Sequence, residues 1–168
     1  MVKNNVNAIS ALKIAIQTEI DSYKLYLNAY SLAKNENSRE ILKLLAEEEL
    51  AHKKRLEKLY VNLSGRRIMA LNLKPKLRFK EITNEYISPL EVLEVAINNE
   101  KESLKFYQES AGKTVNYDGK KMFYKLIEEE ESHLDLLEME YKVRKKNFQE
   151  EVEEYDDDNM EGVSSVMN

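Results

Sequence analysis

The sequence predicts an all-α protein: a four-helix bundle of two antiparallel helix pairs joined by one long crossover. Three observations carry this. Of 168 residues 34% are charged, while only 4 are Gly and 2 are Pro, a composition that favours long helices over turns. Apolar residues recur at steps of three and four along four separate segments. The first two segments are repeated in the last two at a constant offset of 81 residues, so the chain carries an internal duplication.

The first helix is expected from about Asn7 to Ala33, with a core stripe of Ile9, Leu12, Ile16, Glu19, Tyr23, Tyr26 and Tyr30, and it stops before the polar run Lys34-Asn35-Glu36-Asn37. The second begins near Ser38, read as its N-cap, carries Leu42, Leu45, Glu49, His52, Leu56, Leu59 and Leu63, and ends at Gly65. Ser88-Pro89-Leu90-Glu91 opens the third: Ser88 can cap, Pro89 suits the first helical position and Glu91 can close a capping box. Its stripe is Leu93, Ile97, Glu100, Leu104, Tyr107 and Ala111, with Gly112 at the end. The fourth follows Asn116-Tyr117-Asp118-Gly119, carries Phe123, Leu126, Glu130, His133, Leu137 and Tyr141, and is expected to fray past Phe148.

Short links within each pair make the partners antiparallel. The roughly 25 residues from Ser64 to Ser88 exceed an ordinary helix–helix loop and fit a crossover along the bundle. The expected organisation is one domain over residues 1–148 and an acidic, disordered tail over 149–168.

Six core slots that should be apolar are ionisable, and they form one repeated set. Glu19, Glu49 and His52 recur 81 residues later as Glu100, Glu130 and His133. The flanks repeat too: Ala15-Ile16, Ser22, Lys24 and Tyr26 around Glu19 match Ala96-Ile97, Ser103, Lys105 and Tyr107 around Glu100. Around the second motif, Leu45, Glu48, Leu56 and Tyr60 match Leu126, Glu129, Leu137 and Tyr141.

Positions i and i+3 share a helix face, so Glu49 with His52 and Glu130 with His133 can each aim an oxygen and an imidazole nitrogen at one metal. Glu19 and Glu100 add carboxylates from the other two helices. Four carboxylates buried together repel one another, and each costs several kcal/mol to desolvate. Two divalent cations supply the compensating charge. Oxygen ligands with one imidazole per ion suit iron or manganese, and less specifically zinc. Iron or manganese is the leading expectation, since the donor set leaves coordination positions open.

Other features read as structural. Glu48, Glu129 and Glu131 fall off the core stripes and read as solvated face. Tyr26 and Tyr107 either bond ligand carboxylates or fill core. The cations Arg66, Arg67, Lys74, Lys76, Arg78 and Lys80 read as a crossover laid over acidic helices.

Composition narrows the function classes. With no Cys there is no disulfide, thiolate metal site, iron–sulfur cluster or catalytic thiol. The net charge of −5 is concentrated in eight acids after Gln149, and residues 1–148, with 26 basic against 23 acidic side chains, carry +3. That near balance favours neither nucleic acid nor membrane as a partner. No apolar run is long enough to span a bilayer and the first residues lack a signal-peptide pattern, so a cytoplasmic location is expected.

The wording Leu44-Leu45-Ala46-Glu47-Glu48-Glu49-Leu50-Ala51-His52, with its mate Lys125-Leu126-Ile127-Glu128-Glu129-Glu130-Glu131-Ser132-His133, resembles the ferritin-like superfamily and within it the rubrerythrins. The resemblance covers about residues 8–147. It implies a ferritin-like bundle holding two iron ions that reduces hydrogen peroxide or oxygen in oxidative-stress defence, fed by an external electron donor protein. It further implies terminal roles for Glu19 and Glu100 and bridging roles for Glu49 and Glu130, with His52 and His133 on one iron each. A homo-oligomer is expected, with the dimer favoured.

The chain departs from rubrerythrins in lacking the Cys-ligated rubredoxin module and in carrying Ile97 where they have a further Glu. Bacterioferritins share the doubled Glu-x-x-His, but Leu50 occupies the position of their haem-binding Met. Two other functions fit the same residues: ferroxidation with iron storage or delivery, and a bundle whose metals merely hold the helices.

Overall fold

A computed structural model of the chain describes the backbone of residues 2–68 and 88–164 and the side chains of residues 8–68 and 88–150. Within these the chain forms four helices: α1 (Val2–Leu32), α2 (Glu36–Ser64), α3 (Pro89–Lys113) and α4 (Tyr117–Ser164). α1 packs on α2 and α3 on α4, with further contacts between α1 and α3 and between α2 and α4. This is the all-α four-helix bundle that the periodicity predicts.

The helix ends show which polar residues terminate each segment. Asn35, and not Ser38, caps α2: its side chain accepts from the Ser38 N–H, so the cap lies three residues earlier than expected. Ser38 is instead buried, donating through Oγ to Glu140 of α4 at 2.7 Å. Gly65 ends α2 in the left-handed region at φ 67°, relieving the strain a side chain would meet there. At α3 the Ser88–Glu91 capping box and Pro89 are in place as expected. That helix runs past Gly112 to Lys113, with Thr114 as its C-cap.

α1 begins five residues before the expected start, at Val2. α4 continues to Ser164 and does not fray at Phe148. No proline follows Phe148 and the next glycine is Gly162, while Lys146 pairs with Glu150 at 3.4 Å one turn on. The side chains of the acidic stretch beyond residue 150 lie outside those described, as do Lys74, Pro75, Lys76, Arg78 and Lys80 of the crossover.

The core consists of two apolar clusters. One gathers Tyr26, Leu42, Leu45, Val92, Leu93 and Leu137. The other gathers Leu12, Ile16, Leu56, Tyr107, Phe123 and Leu126. Each fully buried large side chain contributes roughly 1.5–3 kcal/mol. In α1 and α4 the second cluster comes first in sequence, and in α2 and α3 it comes last. Each of the four main helix pairs is therefore antiparallel. α2 ends and α3 starts at opposite ends of the bundle.

Between the clusters every helix interrupts its apolar stripe with buried polar residues: Glu19 and Ser22, Glu49 and His52, Glu100 and Ser103, Glu130 and His133. The fold places one polar layer across the middle of an oily core.

Candidate metal centre

All six ionisable residues singled out by the repeat meet in that layer. Ligand-capable atoms of Glu19, Glu49, His52 and Glu130 lie within 4.8 Å of one another, and so do those of Glu49, Glu100, Glu130 and His133. The two groups share Glu49 and Glu130. The repeat thus becomes a pair of four-residue clusters with two carboxylates common to both, and each is closed by one terminal Glu and one His.

Imidazole Nδ1 is the inward-facing nitrogen in both halves. His52 Nδ1 lies 3.4 Å from Glu19, 3.5 Å from Glu49 and 3.3 Å from Glu130. His133 Nδ1 lies 3.3 Å from Glu49 and 3.2 Å from Glu130. The two rings stack in parallel, with centroids 5.4 Å apart and planes 5° from coplanar.

The layer is short of donors. Both oxygens of Glu49 and of Glu100, together with Glu19 Oε2 and His52 Nδ1, are buried without a hydrogen-bond partner. Orphaned buried acceptors are costly and rare, and here they converge on two points. Such a set fits two cations.

Without them, protons must balance the charge. Burial drives the Glu19 carboxyl well above the usual range, helped by the charge of Glu49. Burial and the charge of Glu130 do the same to Glu100. Burial also opposes ionisation of Glu49 and Glu130, but the nearby protonated carboxyls of Glu19 and Glu100 and both imidazoles outweigh it and hold these two below the usual range. Each imidazole is disfavoured as a cation by burial, yet the surrounding carboxylates prevail, raising His52 strongly and His133 to about 10. The metal-free layer is then neutral: two carboxylates face two imidazolium rings, and two carboxyls keep their protons. Four protons stand where two divalent cations would bring four charges.

Two outer contacts were missed by the sequence argument. Glu48 and Glu129, read there as solvated, approach the outward Nε2 atoms: Glu48 lies 2.8 Å from His133, and Glu129 lies 3.5 Å from His52. Once the ring has lost its second proton to a metal, an outer carboxylate of this kind keeps the remaining proton on Nε2, leaving the Nδ1 lone pair facing inward. Their appearance at the same 81-residue offset was the available signal. Of the two tyrosines, Tyr107 donates its hydroxyl to Glu19, while the buried hydroxyl of Tyr26 has no partner among the described residues.

The rubrerythrin family model matches residues 10–141 of the chain. The chain belongs to the rubrerythrin family. This rubrerythrin-family chain also resembles several solved ferritin-like structures. One is the Bacteroides fragilis bacterioferritin-related protein, described as a dodecameric thioferritin, at 22% identity over 88% of this chain and 90% of that one, with a TM-score of 0.73. Another is the bacterioferritin of Rhodobacter capsulatus, at 24% identity over 84% and 87%, with a TM-score of 0.67. A hypothetical protein from Pyrococcus furiosus aligns at 23% identity over 81% and 89%, with a TM-score of 0.70. At these identities the likeness shows the ferritin-like fold. No curated protein matches the sequence. Among the described residues no helix is long and apolar enough to cross a membrane.

Proposed function

We propose that this chain is a non-haem di-iron oxidoreductase that reduces hydrogen peroxide or oxygen with electrons from an external donor protein. The observation that carries the reading is the pair of four-residue clusters sharing Glu49 and Glu130. Glu19 and His52 would hold one iron and Glu100 and His133 the other, with Glu49 and Glu130 bridging. Four donors per ion leave open positions for a small oxidant, and this favours iron over zinc, with manganese the nearest substitute. Two ferrous ions held there would supply the two electrons that take peroxide to water or oxygen to peroxide, and the external donor would restore them.

The chain's own residues set the conditions for that chemistry. The apolar clusters on both sides exclude bulk water from the layer, which strengthens electrostatic interaction inside it. Tyr107 orients Glu19 and, with burial and the nearby carboxylates raising its pKa, keeps its proton at neutral pH. Glu48 holds the His133 imidazole in the ligating tautomer, while Glu129 lies farther from His52.

An anaerobic Fe(II) titration of the metal-free protein, followed by mixing with peroxide, tests the reading. Saturation near two irons per chain with rapid oxidation supports it. Two irons that ignore peroxide would reduce the site to a structural one, and uptake far beyond two would favour ferroxidation and storage. We further infer a cytoplasmic homo-oligomer, with the dimer as its smallest form, to be read by light scattering. The family fold and the dodecameric description of the Bacteroides fragilis relative support assembly.

A further inference from the structure

We propose that the two halves of the centre fill in order, the Glu100/His133 half before the Glu19/His52 half, and that Glu48 is the positioning residue that sets this order. The inference rests on the two-metal reading above and concerns what the duplication has not kept equal.

The six inner residues are repeated faithfully, but their surroundings are not. Glu129, behind His52, is held by the Arg55 guanidinium and lies 3.7 Å from the Lys125 ammonium. The repeat mates of these cations are Leu136 and Leu44. Among the described residues no Lys or Arg comes within 4 Å of Glu48, the mate of Glu129, whose close charged neighbour is His133 at 2.8 Å. The carboxylate behind His52 is thus committed elsewhere and sits 3.5 Å from the ring, beyond good hydrogen-bond distance.

An uncommitted carboxylate on Nε2 raises the basicity of the imidazole, and loss of such a partner typically costs about 10–100-fold in metal affinity. A carboxylate already neutralised by guanidinium does this poorly. The inner carboxylates differ in the same sense. Glu19 accepts from the Tyr107 hydroxyl, while neither oxygen of Glu100 has a hydrogen-bond partner among the described residues. Both differences make the His133 half the stronger ligand set.

The chain has two histidines, one per half, so filling can be watched one site at a time. The intact protein, labelled with 15N-histidine, is titrated with Zn(II), a diamagnetic probe, while the ring nitrogens are followed by NMR. The two sets are assigned by the signal lost in His52→Gln. The expected result is that the His133 Nδ1 signal moves to its bound position below one equivalent and that of His52 moves only between one and two. Movement of His52 first, or of both together, overturns the order. If neither moves, the two-metal reading itself falls.

Affinities separate positioning from mere folding. Glu48→Gln should weaken the first binding step by about 10–100-fold and shift the His133 Nε2 resonance. Glu129→Gln should leave both steps close to wild type. Arg55→Leu, copying its mate Leu136, should tighten the second step by releasing Glu129 to His52. Equal losses in the two glutamine variants would remove Glu48 from its assigned role.

Discussion

The polar layer and the apolar clusters on either side of it are built from the same four helices, yet they respond to different conditions. In the clusters, Leu12, Leu42, Leu56 and Leu137 are fully buried against other hydrocarbon and need nothing from outside the chain. In the layer, Glu19, Glu49, Glu100 and Glu130 are as deeply buried, and both oxygens of Glu49 and Glu100 and one of Glu19 find no hydrogen-bond partner among the described residues. The clusters hold the layer closed, so its acids cannot relax toward water. The difference teaches that hydrophobic packing sets the fold, while the cost of the layer is met by protons or by cations.

The largest effect should come from filling the layer. At a thousandfold excess over the dissociation constant each ion adds about 4 kcal/mol, so two add about 8, a rise of roughly 15 °C or more in the melting temperature. Scanning calorimetry with and without Fe(II) under argon reads it directly. Glu130→Ala, which removes a carboxylate common to both clusters, should abolish most of the gain. If loading leaves the melting temperature unchanged, the contrast between layer and clusters is lost.

The clusters should behave the other way. Leu12→Ala and Leu42→Ala, each two turns from the nearest layer glutamate, should cost about 2–5 kcal/mol through the cavity they leave. Chemical denaturation should give the same loss in metal-free and loaded protein. A loss that depends on metal would show that packing and layer are coupled.

That contrast also explains what could be read from the sequence. The stripe of each helix was legible because burial follows the 3.6-residue period, and Glu19 and Glu100 stood out because they break it. All six residues named from the repeat lie in the layer. The outer contacts were not legible, since Glu48 and Glu129 sit beside the stripe and what they touch depends on the approach of α2 to α4. Nor does the duplication reveal that Arg55 binds Glu129, because Arg55 has Leu136 as its mate. Helix ends were misread where an asparagine and a serine compete: Asn35 and Ser38 can both cap, and only the position of Glu140 decides which is free to do so.

A third expectation separates the two regions by pH. In the metal-free protein Glu19 and Glu100 are raised above their ordinary range, and so are His52 and His133, the latter to about 10. Each stays protonated in the folded state at pH values where the unfolded chain has released its proton. The folded state therefore binds more protons, and stability falls as pH rises. The carboxyls act from their unfolded value near 4.5 upward, and His133 acts from 6.5 to about 10. Metal-free protein should melt at progressively lower temperature from mild acid to alkali. Loading displaces these protons, so the loaded protein should lose that slope and metal affinity should rise with pH. A metal-free protein whose melting temperature rises over this range would contradict the proton-balanced layer.

The smallest effect concerns a helix end far from both regions. Asn35→Ala removes the acceptor for the Ser38 N–H and should cost about 1 kcal/mol, the usual worth of an N-cap. Ser38→Ala acts differently, because its hydroxyl serves Glu140, which also accepts from Asn37 at 2.9 Å and from Arg144 at 2.7 Å. With two donors left, Glu140 stays satisfied and the loss should be no greater than that of Asn35→Ala. The ranking can be checked by urea unfolding at neutral pH, where both losses should be the same with and without metal. A larger loss for Ser38→Ala would mean that the Glu140 contact, tying α4 to the start of α2, matters more to this end of the bundle than the cap itself.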